Sequence, residues 1–231
     1  RDIVINPPES ELNKLKDSNK LITIQKNSGA YIVMNNSSIP MQGRRIVYNY
    51  IYKAIGLYQS NNTSEYDLAE GCYFREEKDN LNMIQQRKVD SSKEGEWNQP
   101  KVLTLIAEDN KKNKILCRII KEWFAANTNI TIKYTLANDD EFKDSELKKR
   151  YDVIIVNNDA ISSEKEEFYS RFEEYLSEDD LNILESLRIN DYYGDYHTLE
   201  DSLFSNYNIL PLAFYNENIA ISDKVSDISI D

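Results

Sequence analysis

The sequence has little of what builds most metal and nucleophile-based sites. Its 231 residues include one histidine and two cysteines, with 6 glycines and 5 prolines. His197 alone cannot supply a histidine triad or a multi-histidine metal site within the chain. Cys72 and Cys117 are too few for a disulfide framework. Cys117 falls on the apolar side of a helical pattern and reads as a small core hydrophobe. Nothing supports a bridge to Cys72, and free thiols suit a reducing compartment better than an oxidising one. No apolar run reaches membrane-spanning length, and no signal peptide or lipidation motif is visible. The chain opens on Arg1 rather than methionine, so a fragment or processed form is expected. Lys and Arg (28) are outnumbered by Asp and Glu (40), for a formal net charge of −12. That balance argues against a nucleic-acid surface, which needs cations for phosphates, and against anionic membranes. It serves solubility. There is no phosphate-cradling glycine loop and no Asp-x-Asp-x-Asp-Gly calcium loop among the acids of residues 164–180. No feature places two acids at glycosidase spacing. The expectation is a chain that binds rather than catalyses, with no cofactor and no metal.

What is present is an alternation of strand and helix patterns, centred on residues 101–156. Val102–Ile106 is a short apolar run. Residues 113–126 carry Ile115, Leu116, Ile119, Ile120, Trp123 and Phe124 at helical spacing. Ile130–Tyr134 alternates inward and outward residues, and Tyr151–Val156 is nearly all apolar, as in a strand covered on both faces. Strands alternating with helices predict an α/β fold with a parallel or mixed sheet. Upstream, residues 2–5, 21–24 and 30–34 read as strands, with Asn27-Ser28-Gly29 as a turn. A helix is expected from about Arg44 to Tyr58. Residues 60–100 form a poorly readable connection in which 69–74 could pair as a strand. Downstream, Ser163 with Glu166 has a capping-box spacing. Acids at 178–180 open a further helix, and residues 198–207 form another. A strand over 209–214 bears Pro211, which predicts an edge or a bulge. A last strand over 218–222 is expected to pair with it across a turn at 215–217. The whole of 1–231 reads as a single α/β lobe.

In open α/β sheets ligands gather beyond the carboxyl ends of the strands. That rule selects Asn157, Asn158 and Asp159 as hydrogen-bonding candidates, against a plain helix-capping turn. Asn35 and Asn36 follow another strand and face the same choice between ligand and turn. Arg44 and Arg45 open a helix, where a cation is not favoured by the dipole. Arg44 has the bidentate geometry for a carboxylate, though pairing with acids or holding the loop explains both. Tyr192, Tyr193 and Tyr196 in one loop could stack on a ligand or be ordinary half-buried aromatics. Trp97 sits in a polar loop as a candidate contact to another lobe. Trp123 reads as core and His197 as a helix-start residue.

Three groups of residues carry a family resemblance. Tyr31-Ile-Val-Met-Asn35, Pro40 and Arg44-Arg45-Ile46-Val47 through Ala54-Ile55 form the first. The strand-helix-strand-strand series ending in Tyr151-Asp152 to Val156 is the second. The helix over 199–207 followed by Ile209-Leu210-Pro211-Leu212 is the third. In order and spacing these resemble the second lobe of extracellular solute-binding proteins of family 5, the oligopeptide, dipeptide and nickel binding proteins of ABC importers. The resemblance implies a periplasmic-binding-protein type II-like lobe, a mixed sheet flanked by helices. It also implies a small polar ligand or peptide in an interlobe cleft, a missing N-terminal lobe of the same chain, an ABC permease partner and an extracellular, lipid-anchored location. The sequence departs from the family at Asn157-Asn158-Asp159-Ala160, where a Trp, an Asp-Tyr pair and a Pro are usual. It also lacks the Pro- and Gly-rich loop expected between Leu57 and Phe74. A related group places the same domain behind a DNA-binding winged helix, as in the sugar-phosphate stress regulator. The implied alternative is therefore a ligand-sensing domain of a cytoplasmic transcriptional regulator.

Overall fold

The structure, a computed structural model, describes residues 3–18, 20–61, 65–79, 87, 97–159, 164–189 and 196–222. Its strands are β1 (Ile3–Ile5), β2 (Leu21–Met34), β3 (Tyr66–Leu68), β4 (Val102–Glu108), β5 (Thr131–Ala137), β6 (Val153–Asp159) and β7 (Ile209–Ile221). Its helices are α1 (Glu9–Asp17), α2 (Met41–Asn61), α3 (Lys111–Asn127), α4 (Asp139–Lys143), α5 (Ser145–Lys148), α6 (Lys165–Ser170), α7 (Glu178–Ile189) and α8 (His197–Ser205). Short 3₁₀ turns cover Arg75–Asp79 and Glu173–Tyr175. The strands form one mixed sheet in the order β1-β7-β2-β6-β4-β5, with β3 also on β7. β4 pairs in parallel with both β5 and β6, while β2 pairs antiparallel with both β6 and β7. This is the α/β architecture that the alternating patterns predict. No helix among the described residues is long and apolar enough to cross a membrane.

Side chains alternate across the sheet with period two, and helices cover both faces. Ala30, Ile32, Leu103, Leu105, Val153 and Ile155 pack against Val47, Ile51 and Ile55 of α2 and Leu116, Ile120 and Phe124 of α3. Tyr31, Val33, Ile106 and Ile154 pack on the other face against Phe168, Tyr169, Phe172, Leu184, Leu199 and Leu203. Each such large side chain contributes about 1.5–3 kcal/mol when fully buried, so Val153, Ile154 and Ile155 have to be apolar on both sides of the sheet.

Three local expectations give way to the tertiary structure. Asn27-Ser28-Gly29 is no turn: β2 runs unbroken from Leu21 to Met34, and the register against β7 shifts between Gln25 and Gly29. The sheet absorbs the turn-forming residues as a bulge. A Cβ on Gly29 would stand 2.9 Å from the Ala213 carbonyl oxygen, so the bulge needs a residue without one. β7 likewise continues through 215–217 rather than folding back. Residues 69–74 form a turn whose Tyr73 and Phe74 are fully buried, and the pairing strand lies at 66–68. Pro211 does sit at an irregularity, a second register shift opposite Ala30 and Tyr31. The acids 178–180 open α7 as expected. Ser163 and the loop tyrosines Tyr192 and Tyr193 lie outside the described residues.

A buried ionic hub fastens the helices on one face. Glu200 is fully buried in α8, and its carboxylate accepts from Arg87 (2.8 Å), Lys165 (3.0 Å) and the Tyr169 hydroxyl (2.9 Å). Arg87 also reaches Asp201 at 2.8 Å. Burial by itself would raise the Glu200 pKa, but Lys165 and Arg87 outweigh it and hold the carboxyl below its usual range. Deleting the carboxylate strands two cations, a loss of about 3–5 kcal/mol by the cost of breaking a buried pair. Glu200→Ala should therefore lower the denaturant-derived unfolding free energy by that amount. A folded-state pKa below the unfolded value of about 4.3 makes this contribution complete above that pH. It is lost as pH falls through the depressed value. The wild type should show this acid-limb loss and Glu200→Ala should not.

Candidate functional site

β4 leaves through α3 to β5 on one side, and the return connection crosses to β6 on the other. The carboxyl ends of β4 and β6 therefore lie together at a switch in direction, the place where open α/β sheets receive ligands. Asn110, just past β4, caps α3: its side chain accepts from the Asn113 amide at 2.8 Å. Its Nδ2 donates to Asn157 Oδ1 at 3.2 Å. Asn157 Nδ2 in turn donates to the Tyr215 hydroxyl. The Lys112 ammonium lies 4.1 Å from the centroid of the Tyr215 ring, a cation–π contact. The Tyr66 hydroxyl donates to the Lys112 carbonyl at 3.0 Å, and its ring meets Tyr215 edge-on.

Burial pushes the Tyr215 phenol well above its ordinary pKa, so it stays protonated, with its hydrogen free to donate while its oxygen serves Asn157. Partial burial lowers the Lys112 pKa, with Asp159 and Glu217 acting in the opposite sense. No carboxylate among the described residues comes within ion-pairing distance of Lys112. The pole thus offers a cation on an aromatic ring, a phenol donor and the Asp159 carboxylate. That is a donor and acceptor set for a polar ligand, with no nucleophile and base arranged for bond breaking.

The candidate residues do not converge. Asn157, Asn158 and Asp159 extend β6 itself, opposite Ala30, Gly29 and Ser28 of β2, rather than following it as a loop. Strand alternation sends Asn157 to the polar pole and Asn158 into the other face. There Asn158 is buried, donates to the Phe168 carbonyl at 3.2 Å and accepts from Arg171 at 3.0 Å, so it seats α6. Asn35 and Asn36 stand at the opposite end of the strands, about 20 Å away at ~3.3 Å per residue. Asn35 closes its own turn by accepting from the Ser37 amide and donates to the Lys149 and Tyr151 carbonyls. Arg44 clamps the carbonyls of Ile39 and Asn206. Arg45 has a buried Nε without a hydrogen-bond partner. Trp97 packs over Gly43 of α2, and Trp123 packs on the core beside Tyr50 and Phe124. Tyr196 stacks on Tyr169. His197 Nδ1 lies 3.1 Å from Glu200 Oε2. Glu77, His197 and Glu200 bring donor atoms within 4.8 Å of one another, but the cation between the two carboxylates is the Lys165 ammonium, at 2.9 and 3.0 Å. Lys112, Asn110 and Tyr215 were not singled out by the sequence. The Asn110–Asn113 capping spacing was available as a signal, whereas Tyr215 looked like part of a turn.

No family model matches the sequence, and no curated protein matches it significantly. Solved structures do share its fold. NikA from Brucella suis in complex with Fe(III)-EDTA superimposes with a TM-score of 0.69 at 11% identity, over 100% of this chain and 55% of that one. The Escherichia coli murein tripeptide binding protein MppA gives 0.59 at 14%, over 96% and 49%. Haemophilus influenzae OppA in complex with the peptide RPPGFSPFR gives 0.56 at 15%, over 96% and 50%. The chain spans about half the length of these structures. Its fold is therefore that of one half of a periplasmic-type solute-binding protein.

Asn110→Ala should cost about 0.5–2 kcal/mol through loss of the α3 cap. It should also free Asn157, detectable as altered fluorescence or NMR shifts of Tyr215.

Proposed function

We propose that this chain is one lobe of a peptide-type solute-binding protein of an ABC importer, and that it binds a peptide or other small polar ligand without transforming it. The observation that carries the reading is the Asn110–Asn157–Tyr215 hydrogen-bond chain with Lys112 over the Tyr215 ring, at the carboxyl ends of β4 and β6. Lys112, Tyr215, Asn157 and Asp159 contact the ligand. Asn158 supports the site from the opposite face. Asn35, Asn36 and Arg44 lie too far away to share it. A second lobe of the same protein closes over this pole by a hinge, which agrees with the half-length coverage of the structural neighbours. With that role go an extracellular, membrane-anchored location and delivery to an ABC permease.

The regulator reading drew on free cysteines and on the departure from the family at Asn157-Asn158-Asp159-Ala160. Burial pushes both thiols up to about 12, so they are inert core residues that suit an oxidising compartment as well as a reducing one.

The test is calorimetric and thermal-shift titration of the intact two-lobed protein with separate pools of short peptides and sugar phosphates. A peptide present at about 100 times its Kd should raise the unfolding free energy by about 2.7 kcal/mol. Lys112→Met should weaken that binding about tenfold, or ~1.4 kcal/mol. Affinity for a carboxylate-bearing peptide should fall as pH rises through the Lys112 pKa, which lies below the ~10.4 of a free lysine. Stabilisation by sugar phosphates and not by peptides would overturn the importer reading. Unchanged affinity in Lys112→Met would remove the site from this pole.

A further inference from the structure

The end of the sheet opposite the proposed ligand site is hollow. Where β2 ends and β6 begins, a pocket of about 270 Å³ opens between the turn after β2, α5 and the 3₁₀ turn at Glu173–Tyr175. That is just below the roughly 300–1,000 Å³ of sites for drug-sized ligands. Its floor is apolar, from Val33, Met34, Ile154 and Leu176. Its polar wall includes Asn36, Lys148, Lys149, Glu174, Tyr175 and Asn208.

Two features make this more than a surface dent. Asn208 is 7% exposed, and its Nδ2 donates to the Tyr175 carbonyl at 3.1 Å. That bond fixes the amide, and the remaining Oδ1 has no partner among the described residues. That oxygen is open to the pocket, so it can accept from a ligand hydroxyl in place of water. Second, the charges at the wall are already paired: the exposed Lys149 holds Glu146 at 2.7 Å, and the buried Lys148 holds Glu174. The Lys148 ammonium lies 2.6 Å from Glu174 and over the faces of Phe142 and Tyr175, and Glu174 also hydrogen-bonds the Tyr175 hydroxyl. Lys148 is 6% exposed and Glu174 38%: a cation that drew Glu174 away would leave the buried ammonium uncompensated, which is costly, and an anion would have to displace Glu174. A neutral ligand keeps the pair intact and uses its spare hydrogens and lone pairs.

We propose that this pocket is a second binding site, for one neutral polyhydroxylated ring such as a monosaccharide. Its hydroxyls would donate to Asn208 Oδ1 and Glu174 and accept from Lys148 and the Asn36 amide, while its C–H face lies on the apolar floor. The site is independent of the pole assigned above to the transported ligand. A single small ring with few contacts binds weakly, with a Kd of about millimolar.

Saturation-transfer NMR on the intact protein, with glucose, galactose and myo-inositol as probes, tests it. At least one probe should give saturable transfer in the millimolar range. Asn36→Trp plugs the mouth from an exposed turn residue and should abolish the transfer. Asn208→Leu keeps the volume, removes the acceptor and should weaken binding about tenfold. Lys112→Met, at the other pole, should leave it unchanged. Absence of transfer from all probes up to about ten times that Kd overturns the proposal. Transfer that survives both Asn36→Trp and Asn208→Leu does so as well, as does saturable binding of acetate or methylammonium in place of the polyols.

Discussion

Strand β2 carries β7 along one edge and β6 along the other, both antiparallel, and this double pairing sets the position of every layer. β6 then accepts β4 in parallel, and β4 accepts β5, so the mixed sheet grows outward from one long strand. The bulge at residues 25–29 divides β2 into two parts. Beyond it Ala30–Met34 is buried on both faces. Before it Leu21–Gln25 pairs with Asn216–Ala220, on a half-exposed ribbon edged by β1. Gly29 makes the division sterically feasible, because its neighbour across the sheet is a backbone oxygen that cannot move aside.

Irregular strands leave carbonyls without ladder partners, and buried carbonyls must be satisfied. Tyrosine does that work here. Tyr48 donates to the Pro211 carbonyl at 2.7 Å, Tyr73 to that of Ile209 at 2.6 Å, and Tyr31 to that of Tyr73 at 2.5 Å. Two of those acceptors, Ile209 and Pro211, lie just before the register shift in β7. Each ring fills core volume while its hydroxyl reaches the backbone, an economy that aliphatic side chains do not offer. Tyr31, Tyr48 and Tyr73 thus have a structural use, and ligand stacking is not needed to explain these three. Burial raises the pKa of Tyr31, Tyr48 and Tyr73, which keeps them donors.

The central unit was legible because its pattern is strong: apolar strands bury both faces, and α3 has a continuous apolar stripe. The ordered motifs from Tyr31 to Leu212 led to the right kind of lobe. Failures came where pairing overrides local chemistry. Asn-Ser-Gly is a turn signal in isolation, but a sheet with partners on both edges turns it into a bulge. The same competition carried β7 through Tyr215-Asn216-Glu217. Register also decided the site. Asn157 and Asn158 are equivalent in sequence, but the pleat sends one to the polar pole and the other beneath α6. Asn35 was separated from them because β2 and β6 are antiparallel. Sequence order shows neither direction nor partner, so residues at two ends of the sheet looked like one set.

Charge distinguishes the two kinds of cation in this acidic chain. Arg75 is spent on Asp67, the Lys26 and Tyr215 carbonyls and Asn216. Arg87 and Lys165 are spent on Glu200, and Lys148 on Glu174. Each is largely buried, and each costs stability unless a carboxylate stays beside it. These cations therefore hold elements together and cannot be given up to a charged ligand. Lys112 rests its ammonium on a neutral ring instead. A cation–π contact stabilises by about 0.5–2 kcal/mol without neutralising the charge, so the field of that ammonium remains directed outward. The phenol beneath it keeps its proton because it is buried, and Asn157 holds the phenol oxygen in place. Preorganisation of this kind lowers the ordering cost of association. It also explains why a pole with no fixed anion beside its lysine can remain stable in the absence of ligand.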